Sequence, residues 1–119
     1  MSKSITLQLP WPPSINHYWR HTKDGKHYIS LEGKIFRETV YYGCRNFRQK
    51  FLDTDRLSIQ IDAHPPDRRK RDLDNLLKGV LDALQYARVY RDDFQVDRLT
   101  IERKTPSKGH LIVTIKTID

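Results

Sequence analysis

Polar and apolar positions alternate in four segments of the chain, and this pattern predicts β-strands. Residues 5–9 and 57–63 place an aliphatic side chain or alanine at every second position. Two further strands are expected near residues 99–104 and 110–117. The segment that joins them, residues 105–109, contains the Pro and Gly typical of a hairpin turn.

Two segments place apolar residues at helical spacing and predict amphipathic helices. Ser30 is suited to cap the first, which is expected to run from Leu31 to Leu52. Its apolar face comprises Leu31, Ile35, Val40, Cys44, Phe47 and Phe51, and its opposite face carries Lys34, Arg37, Arg45, Arg48 and Lys50. The second has Asp72 or Asp74 at its start and an apolar side formed by Leu73, Leu76, Leu77, Val80, Leu81 and Leu84. The polar, aromatic segment 14–30 is expected to form a long loop or loose hairpin around residues 23–26.

The order β-α-β-α-β-β predicts an α+β fold, with one mixed sheet of about four strands and two main helices. A chain of 119 residues is expected to form a single domain, residues 1–119. Ala, Val, Ile, Leu, Met, Phe, Trp, Cys and Gly total 43 residues, a smaller share than the roughly 45–50% usual for globular domains. The core is therefore expected to be thin, and a partner subunit is expected to supply part of the stability.

The charge of the chain is unevenly distributed. The net charge is +7. Residues 1–52 hold nine basic and three acidic residues, and residues 53–119 hold thirteen and twelve. A basic half indicates a surface for a polyanion such as nucleic acid, although a cationic surface that only aids solubility remains the simpler alternative.

Several protein classes are excluded by composition. The single cysteine, Cys44, excludes a disulfide scaffold and a Cys-based zinc finger, and it is expected to be a packing residue rather than a nucleophile. No apolar stretch is long enough for a membrane span or a signal peptide, so the chain is expected to be cytoplasmic.

The densest group of candidate functional residues lies at 68–78. Four consecutive cations would repel one another unless an anion binds there. Asp72 and Asp74 follow at once, with Asn75 and Lys78 within the next turn. Carboxylate oxygens gathered in this way suit Mg²⁺ or Mn²⁺, and flanking cations would hold a DNA backbone close to them. The pattern therefore indicates phosphodiester hydrolysis, with Lys78 stabilising the transition state and Asp93 as a further acid from elsewhere in the fold.

Simpler interpretations of these residues remain open. One interpretation is that Asp72 or Asp74 simply caps a helix. Another is that Asp74 forms an ordinary ion pair with Lys78, four residues further along the helix. Asp92 and Asp93 are common residue types in turns.

Two other sites are weaker alternatives. Asp67, Glu102 and Lys104 fit the short PD…(D/E)xK pattern of restriction-type nucleases, which arises easily by chance in so charged a chain. His17 and His21 have the spacing of a helical zinc site in a segment that is not helix-like. His64 and His110 are expected at strand ends, as surface or phosphate-contacting residues.

Aromatic residues are interleaved with cations in the N-terminal segment. Trp11, Tyr18, Trp19 and Tyr28 are candidates for stacking on unpaired bases. Packing against the sheet or a second subunit is the alternative, and it is favoured for Trp11.

The motif RKRDLDNLLK at residues 69–78, followed by DAL at 82–84 and DDFQV at 92–96, closely resembles the RusA family of Holliday junction resolvases. The N-terminal run LPWPPSIN at 9–16, with Tyr18, Arg20 and His21, is also similar to that family. The resemblance covers nearly the whole chain. It implies a homodimeric endonuclease of bacterial or prophage origin that makes paired symmetric nicks in four-way DNA junctions, in recombination and repair, with Mg²⁺ or Mn²⁺.

The resemblance also assigns residue roles. It implies that Asp72, Asp74 and Asp93 are the catalytic, metal-binding carboxylates and that Lys78 is the catalytic lysine. The residues expected to bind DNA or support the site are Arg68, Arg69, Lys70, Arg71 and Asn75. A dimer would place two active sites about a dyad, as a two-fold symmetric junction requires. The alternative is a non-catalytic basic protein that binds nucleic acid.

Overall fold

A four-stranded mixed sheet with helices on one face forms the body of the molecule in a computed structural model, which describes residues 2–119. Met1 of the predicted domain lies outside the described residues. The elements in chain order are β1 (Ser4–Pro10), α1 (Ile15–Tyr18), β2 (Trp19–His21), β3 (His27–Ile29), α2 (Leu31–Gly43), β4 (Arg56–His64), α3 (Asp74–Tyr86), β5 (Val96–Arg103) and β6 (His110–Ile118). The predicted α+β class and the order of the main elements are confirmed.

The sheet has the strand order β1-β6-β4-β5. β6 pairs antiparallel with both β1 and β4, whereas β4 and β5 run parallel and are connected through α3. Buried and half-buried residues alternate along β4 and along most of β6, so one face of the sheet forms the core and the other is partly open. β2 and β3 form the separate hairpin expected between residues 14 and 30.

The predicted hairpin between the last two strands is wrong. β4 lies between β5 and β6, so these two strands do not pair. The connection crosses the end of β4 instead, where Lys104 N donates to Ala63 O and Ser107 N donates to Pro65 O, each at 2.8 Å. The turn residues of this segment therefore serve a crossover rather than a two-strand hairpin.

The first long helix is shorter than predicted. Ser30 caps α2 by accepting a hydrogen bond from Gly33 N at 3.0 Å, as expected. However, α2 ends at Gly43, and the chain continues through a short 3₁₀ turn and a left-handed Gln49 with φ of 59°. Phe51 is still buried, because this irregular segment packs against the core.

The buried face of α2 also differs from the prediction. Leu31 and Ile35 are 73% and 58% exposed, whereas Gly33 and Phe36 are buried together with the correctly predicted Val40. Gly33 lies on the inward face because the backbone and ring of Tyr18 pack closely against it.

The second long helix follows the prediction closely. Leu76, Val80 and Leu84 of α3 are buried in the core. The remaining leucines of that face, Leu73, Leu77 and Leu81, are partly buried against it. None of the helices in residues 2–119 has the length and hydropathy needed to cross a bilayer.

Candidate active site

The loop between β4 and α3 is held in place by Asp67. Its Oδ1 accepts hydrogen bonds from Arg71 Nη1 at 2.7 Å and from Arg69 N at 2.9 Å. These bonds, that of Arg71 foremost, lower the pKa of Asp67 to about 2, so the carboxylate is ionised at neutral pH. Arg103 Nη2 donates to Arg71 O at 2.7 Å from the end of β5. The basic loop, which carries the four cations at residues 68–71, is therefore fixed at two points.

The cations of this loop differ in their surroundings. Arg71 is half-buried in its ion pair with Asp67, and its guanidinium carbon lies 5.8 Å from the centroid of the Trp11 ring. Arg68 and Lys70 are exposed, and neither forms an ion pair with any residue in 2–119. The Arg69 side chain is 83% exposed, and its ion pair with Asp67 is a long one, with 3.6 Å between Nε and Oδ2. Arg68, Arg69 and Lys70 therefore remain accessible to a polyanion, and Arg71 orders the loop.

Asp72 and Asp74 lie exposed at the start of α3. Leu73 occupies the N-cap position and no side chain caps the helix, so the capping interpretation is wrong. Within the described part of the chain, neither carboxylate has an ion-pair partner, and the ordinary Asp74–Lys78 pair is not formed. Two exposed carboxylates at the start of α3 are thus left available for a cation.

The other predicted residues of this cluster lie on the first turns of α3. Asn75 is half-buried, and its N–H donates to Asp72 O at 3.2 Å. Lys78 is exposed, with Nζ 5.5 Å from the centroid of the Trp19 ring. The structure therefore brings together Asp72, Asp74, Asn75 and Lys78 next to the basic loop.

Asp93 lies in a 3₁₀ turn, Asp93–Gln95, that leads into β5. Tyr90 Oη donates a hydrogen bond to Asp93 Oδ1 at 2.7 Å, and Asp93 N donates to Gln85 Oε1 at 3.0 Å. Burial raises the pKa of Asp93, against the opposing effect of the bond from Tyr90. Asp92 instead caps the turn by accepting from Phe94 N at 2.9 Å, so the turn-residue interpretation is confirmed for Asp92.

The two groups of predicted carboxylates lie at opposite ends of α3. Arg71, next to Asp72, is bonded to the last residue of β5, whereas Phe94, next to Asp93, accepts a bond at 2.6 Å from Arg56, the first residue of β4. From the first to the last of the eight residues of β5 there are seven steps of about 3.3 Å, which separate these ends by about 23 Å. Across residues 2–119 no three His, Cys, Asp or Glu side chains are grouped so that they could hold a metal ion.

Three residues position the site in ways that the sequence did not predict. Asp67 orders the basic loop, and Tyr90 and Gln85 fix Asp93. Tyr90 stands three residues before Asp93, but no periodicity marks it as the donor to that carboxylate. Only the path of the chain around the end of α3 brings the two side chains together.

The alternative sites do not assemble. Asp67 is bound by arginines, and Glu102 accepts from Lys104 Nζ at 3.0 Å and from Gln60 at 3.2 Å. His17 belongs to α1, whereas His21 belongs to β2 and packs its ring against that of His27 at 4.1 Å. The helical histidine pair therefore does not exist.

The aromatic residues of the N-terminal segment have different environments. Tyr18 has no exposed surface, so base stacking by Tyr18 is ruled out. Its hydroxyl donates to Asp82 Oδ2 at 2.6 Å. Trp11 and Trp19 are half-buried against the core, and Tyr28 is 52% exposed.

The remaining residues with predicted roles are Cys44, His64 and His110. Burial raises the pKa of the Cys44 thiol to about 11, which confirms a packing residue. His64 and His110 lie at strand ends with their rings stacked at 4.5 Å, and His64 Nδ1 is 2.9 Å from Thr105 O.

The Tyr90 hydroxyl, which also lies 3.2 Å from Leu81 O, is expected to position Asp93. Tyr90→Phe keeps the buried ring but removes the bond to Asp93, so divalent-metal affinity should fall by about tenfold to a hundredfold. Isothermal titration with Mn²⁺ measures this effect. Tyr86→Phe is the matched control, because the Tyr86 hydroxyl binds Glu38 on α2 and not Asp93. Equal affinities in the two variants would contradict the positioning role of Tyr90.

Comparisons with known proteins define the class of this molecule. Residues 10–116 match the family described as Endodeoxyribonuclease RusA. The chain is 40% identical over 116 residues to crossover junction endodeoxyribonuclease RusA of Escherichia coli strain K12, covering 94% of this chain and 93% of that protein. It is also 42% identical over 113 residues to the enzyme of the same name from Enterobacteria phage 82, covering 92% and 91%. The chain belongs to the RusA endodeoxyribonuclease family.

Proposed function

We propose that this protein is a Holliday junction resolvase, a metal-dependent endonuclease that hydrolyses phosphodiester bonds at four-way DNA junctions. The observation that carries the proposal is the pair of exposed carboxylates Asp72 and Asp74, which have no ion-pair partner among residues 2–119 and lie directly beside three accessible cations of the basic loop. Carboxylates suit a hard divalent cation, and adjacent cations can hold DNA phosphates close to it. The names of its bacterial and phage relatives support the same activity.

The donor set fits a hard divalent cation. Asp72 and Asp74 supply carboxylate oxygens side by side, which suit Mg²⁺ and allow Mn²⁺ to replace it, and Asp93 offers the same donor type from the far end of α3. When bound, the cation would act as a Lewis acid on the scissile phosphate. Tyr90 would keep the Asp93 carboxylate oriented by donating a hydrogen bond from its hydroxyl to Oδ1.

The remaining residues act on the DNA. Arg68, Arg69 and Lys70 would neutralise phosphates and hold the backbone against the carboxylates, which otherwise repel it. Lys78 would place its ammonium group near the reacting phosphate and stabilise the charge that develops there as water attacks and one P–O bond breaks. Arg71 and Asn75 would hold the loop and the first turn of α3 in position.

Resolution of a junction requires two matched nicks, so we propose that the active form is a homodimer with two sites about a dyad. The partners are then four-way junction DNA and a second copy of the chain. The setting is the recombination and repair of DNA in a bacterial cytoplasm, from a bacterial or prophage gene.

The proposal is tested with an end-labelled four-way junction and a linear duplex of the same sequence. Paired, symmetric nicks are expected in the junction with Mg²⁺ or Mn²⁺, and none with EDTA or in the duplex. Denaturing gels that resolve the two labelled strands measure the outcome. Tight junction binding without nicks under any metal would instead identify a non-catalytic DNA-binding protein.

A further inference from the structure

The hairpin formed by β2 and β3 presents positive charge to solvent. Three of its cations are exposed and have no ion-pair partner among residues 2–119: Arg20, Lys23 and Lys26. The acid of this segment is Asp24, whose carboxylate accepts a hydrogen bond from the Thr22 hydroxyl instead of pairing with a cation. That bond lowers the pKa of Asp24. Unpaired cations on an exposed element are typical of a surface that binds DNA phosphates.

The register of the hairpin separates a packed face from an open face. Trp19 lies opposite Ile29, and both are partly buried against the core. Arg20 lies opposite Tyr28 one step further along, so these two side chains share the other, open face. Tyr28 is 52% exposed there. An exposed aromatic ring beside a guanidinium can stack on a nucleobase while the cation contacts the DNA backbone.

Packing and hydrogen bonds fix both ends of the hairpin. Tyr18, directly before β2, packs against Gly33 of α2 and Gly79 of α3. Its carbonyl oxygen accepts a bond at 2.9 Å from the N–H of Ser30, directly after β3. At the other end, residue 22 donates from its N–H to the carbonyl oxygen of residue 26 at 2.8 Å and closes the turn. The side chains of the open face are therefore positioned before DNA binds, which lowers the entropic cost of binding.

The base of the hairpin lies beside the proposed catalytic lysine. Lys78 Nζ is 5.5 Å from the centroid of the Trp19 ring. From Trp19 to Lys23 in the turn there are four steps of about 3.3 Å, so the hairpin extends up to about 13 Å from this point. Successive nucleotides of one DNA strand rise by about 3.4 Å along the helix. The hairpin can therefore reach nucleotides within about four base pairs of a phosphate that is bound at Lys78.

We propose that the β2–β3 hairpin recognises the branch point of the junction, with Tyr28 stacked on a base at the branch point and with Lys23 and Lys26 bound to phosphates of the adjoining arm. In a linear duplex every internal base is stacked on both sides, and exposing one to an aromatic side chain costs unstacking energy. At a branch point the stacking between arms is already interrupted, so the same contact costs less. The hairpin would thus favour junctions over duplexes. This inference rests on the proposed function for the identity of the DNA substrate, but its tests need no cleavage and separate the two.

Photo-crosslinking tests the stacking contact. Junctions that carry 5-iodouracil at each nucleotide flanking the branch point in turn are irradiated with the wild-type protein in EDTA, so that no strand is cut. We expect peptide mass spectrometry to locate a crosslink at Tyr28, and no such crosslink with a linear duplex that carries 5-iodouracil at the same sequence position. Absence of a Tyr28 crosslink in every junction, or equal crosslinking in the duplex, would overturn the proposal.

Substitution of Tyr28 measures what the ring contributes. Tyr28→Leu should weaken junction binding in EDTA about 5- to 100-fold and change duplex binding by less than about twofold, because only the stacked base is lost. Tyr28→Phe keeps the ring and should bind junctions within about twofold of wild type. Gel-shift titrations of both DNAs measure these affinities. Tyr42→Leu is the matched control, since Tyr42 is 70% exposed but lies eleven steps of about 1.5 Å along α2 from Leu31, about 17 Å from the hairpin end of that helix.

The outcomes distinguish this inference from the proposed function. Unchanged junction affinity in Tyr28→Leu, or equal losses on junction and duplex, would overturn stacking at the branch point. Junction cleavage by the wild type would in that case leave the proposed function standing. If the wild type crosslinks through Tyr28 at the branch point but never cuts with Mg²⁺ or Mn²⁺, the recognition by the hairpin stands and the resolvase function fails.

The salt dependence of binding tests the phosphate contacts. Each phosphate that a cation neutralises contributes about 0.9 to the slope of log K against log salt, so Lys23→Gln and Lys26→Gln should each reduce the slope by about this amount. Lys116→Gln is the control, because Lys116 is exposed on β6 and follows the buried Ile115, so it lies on the face of the sheet away from the core. Unchanged slopes in both hairpin variants, or an equal change in Lys116→Gln, would overturn these contacts.

Discussion

Asp74→Asn is expected to reduce junction cleavage by at least about 10³-fold, which corresponds to about 4 kcal/mol in activation free energy. A carboxamide binds a divalent cation far less tightly than a carboxylate, so the charge that activates the phosphate is lost. Junction binding should be kept or improved, because the substitution removes a negative charge close to DNA phosphates. Cleavage rates on labelled junctions and gel-shift titrations of the same junction measure the two effects.

Asp93→Asn should show an equal loss, and its neighbour provides the control. Asp92 caps the 3₁₀ turn through a side-chain oxygen that accepts from Phe94 N. An asparagine oxygen accepts the same bond, so Asp92→Asn should retain cleavage within a few-fold of wild type. A result in which Asp92→Asn is inactive and Asp93→Asn is active would contradict the assignment of Asp93.

Gly33→Ala is expected to destabilise the fold by about 1–3 kcal/mol. A Cβ at this position would lie 2.7 Å from Tyr18 O and 2.9 Å from Ile29 Cγ2. The Tyr18 oxygen belongs to the backbone and accepts a bond from Ser30 N at 2.9 Å, so it has little freedom to move. Gly79 of α3 lies close to the Tyr18 ring as well, since a Cβ at this position would be 3.0 Å from Tyr18 Cδ2. Both glycines thus allow Tyr18 to pack between the two helices.

Urea unfolding measures this destabilisation against a glycine at the end of the same helix. A Cβ on Gly43 would have nothing within 4 Å. Gly43→Ala should therefore leave stability unchanged or raise it by up to about 1 kcal/mol, because alanine favours helix more than glycine. Equal urea midpoints for Gly33→Ala and Gly43→Ala would show that the packing of Tyr18 against α2 does not require a glycine at position 33.

The periodicity of apolar residues best predicted the elements that have one face in the core and one face toward solvent. β4 and α3 match their patterns because each has one face against the core and one toward solvent. α2 was assigned the wrong face in part, since hydropathy treats Leu31 and Ile35 as buried and ignores glycine. Gly33 is buried for a steric reason, the approach of Tyr18, and such contacts leave no hydropathic signal.

Strand neighbours were less predictable than the strands themselves. Residues 105–109 contain Pro and Gly, which favour a tight turn, yet the chain there passes over the end of β4. Turn chemistry describes a local change of direction, and it does not determine which strand occupies the adjacent position in a sheet.

The local part of the site could be predicted from sequence and the distant part could not. Asp72, Asp74 and Lys78 lie within one short segment, so their proximity follows from helix geometry. Asp93 was expected as a further acid from elsewhere in the fold, and the resemblance to a family implies the same role. Its distance from them within one chain follows from the parallel pairing of β4 and β5, which no spacing of residues reveals.

The central position of β6 has a consequence for how the chain acquires its structure. β6 follows all the other described elements in the chain, yet it is hydrogen-bonded on both sides, to β1 and to β4. Until β6 is available, β1 has no neighbouring strand in the main sheet. Contacts between segments so far apart in sequence slow folding, because a large loop must close before they form. A growing chain therefore cannot complete the main sheet before residues 110–118 have been synthesised.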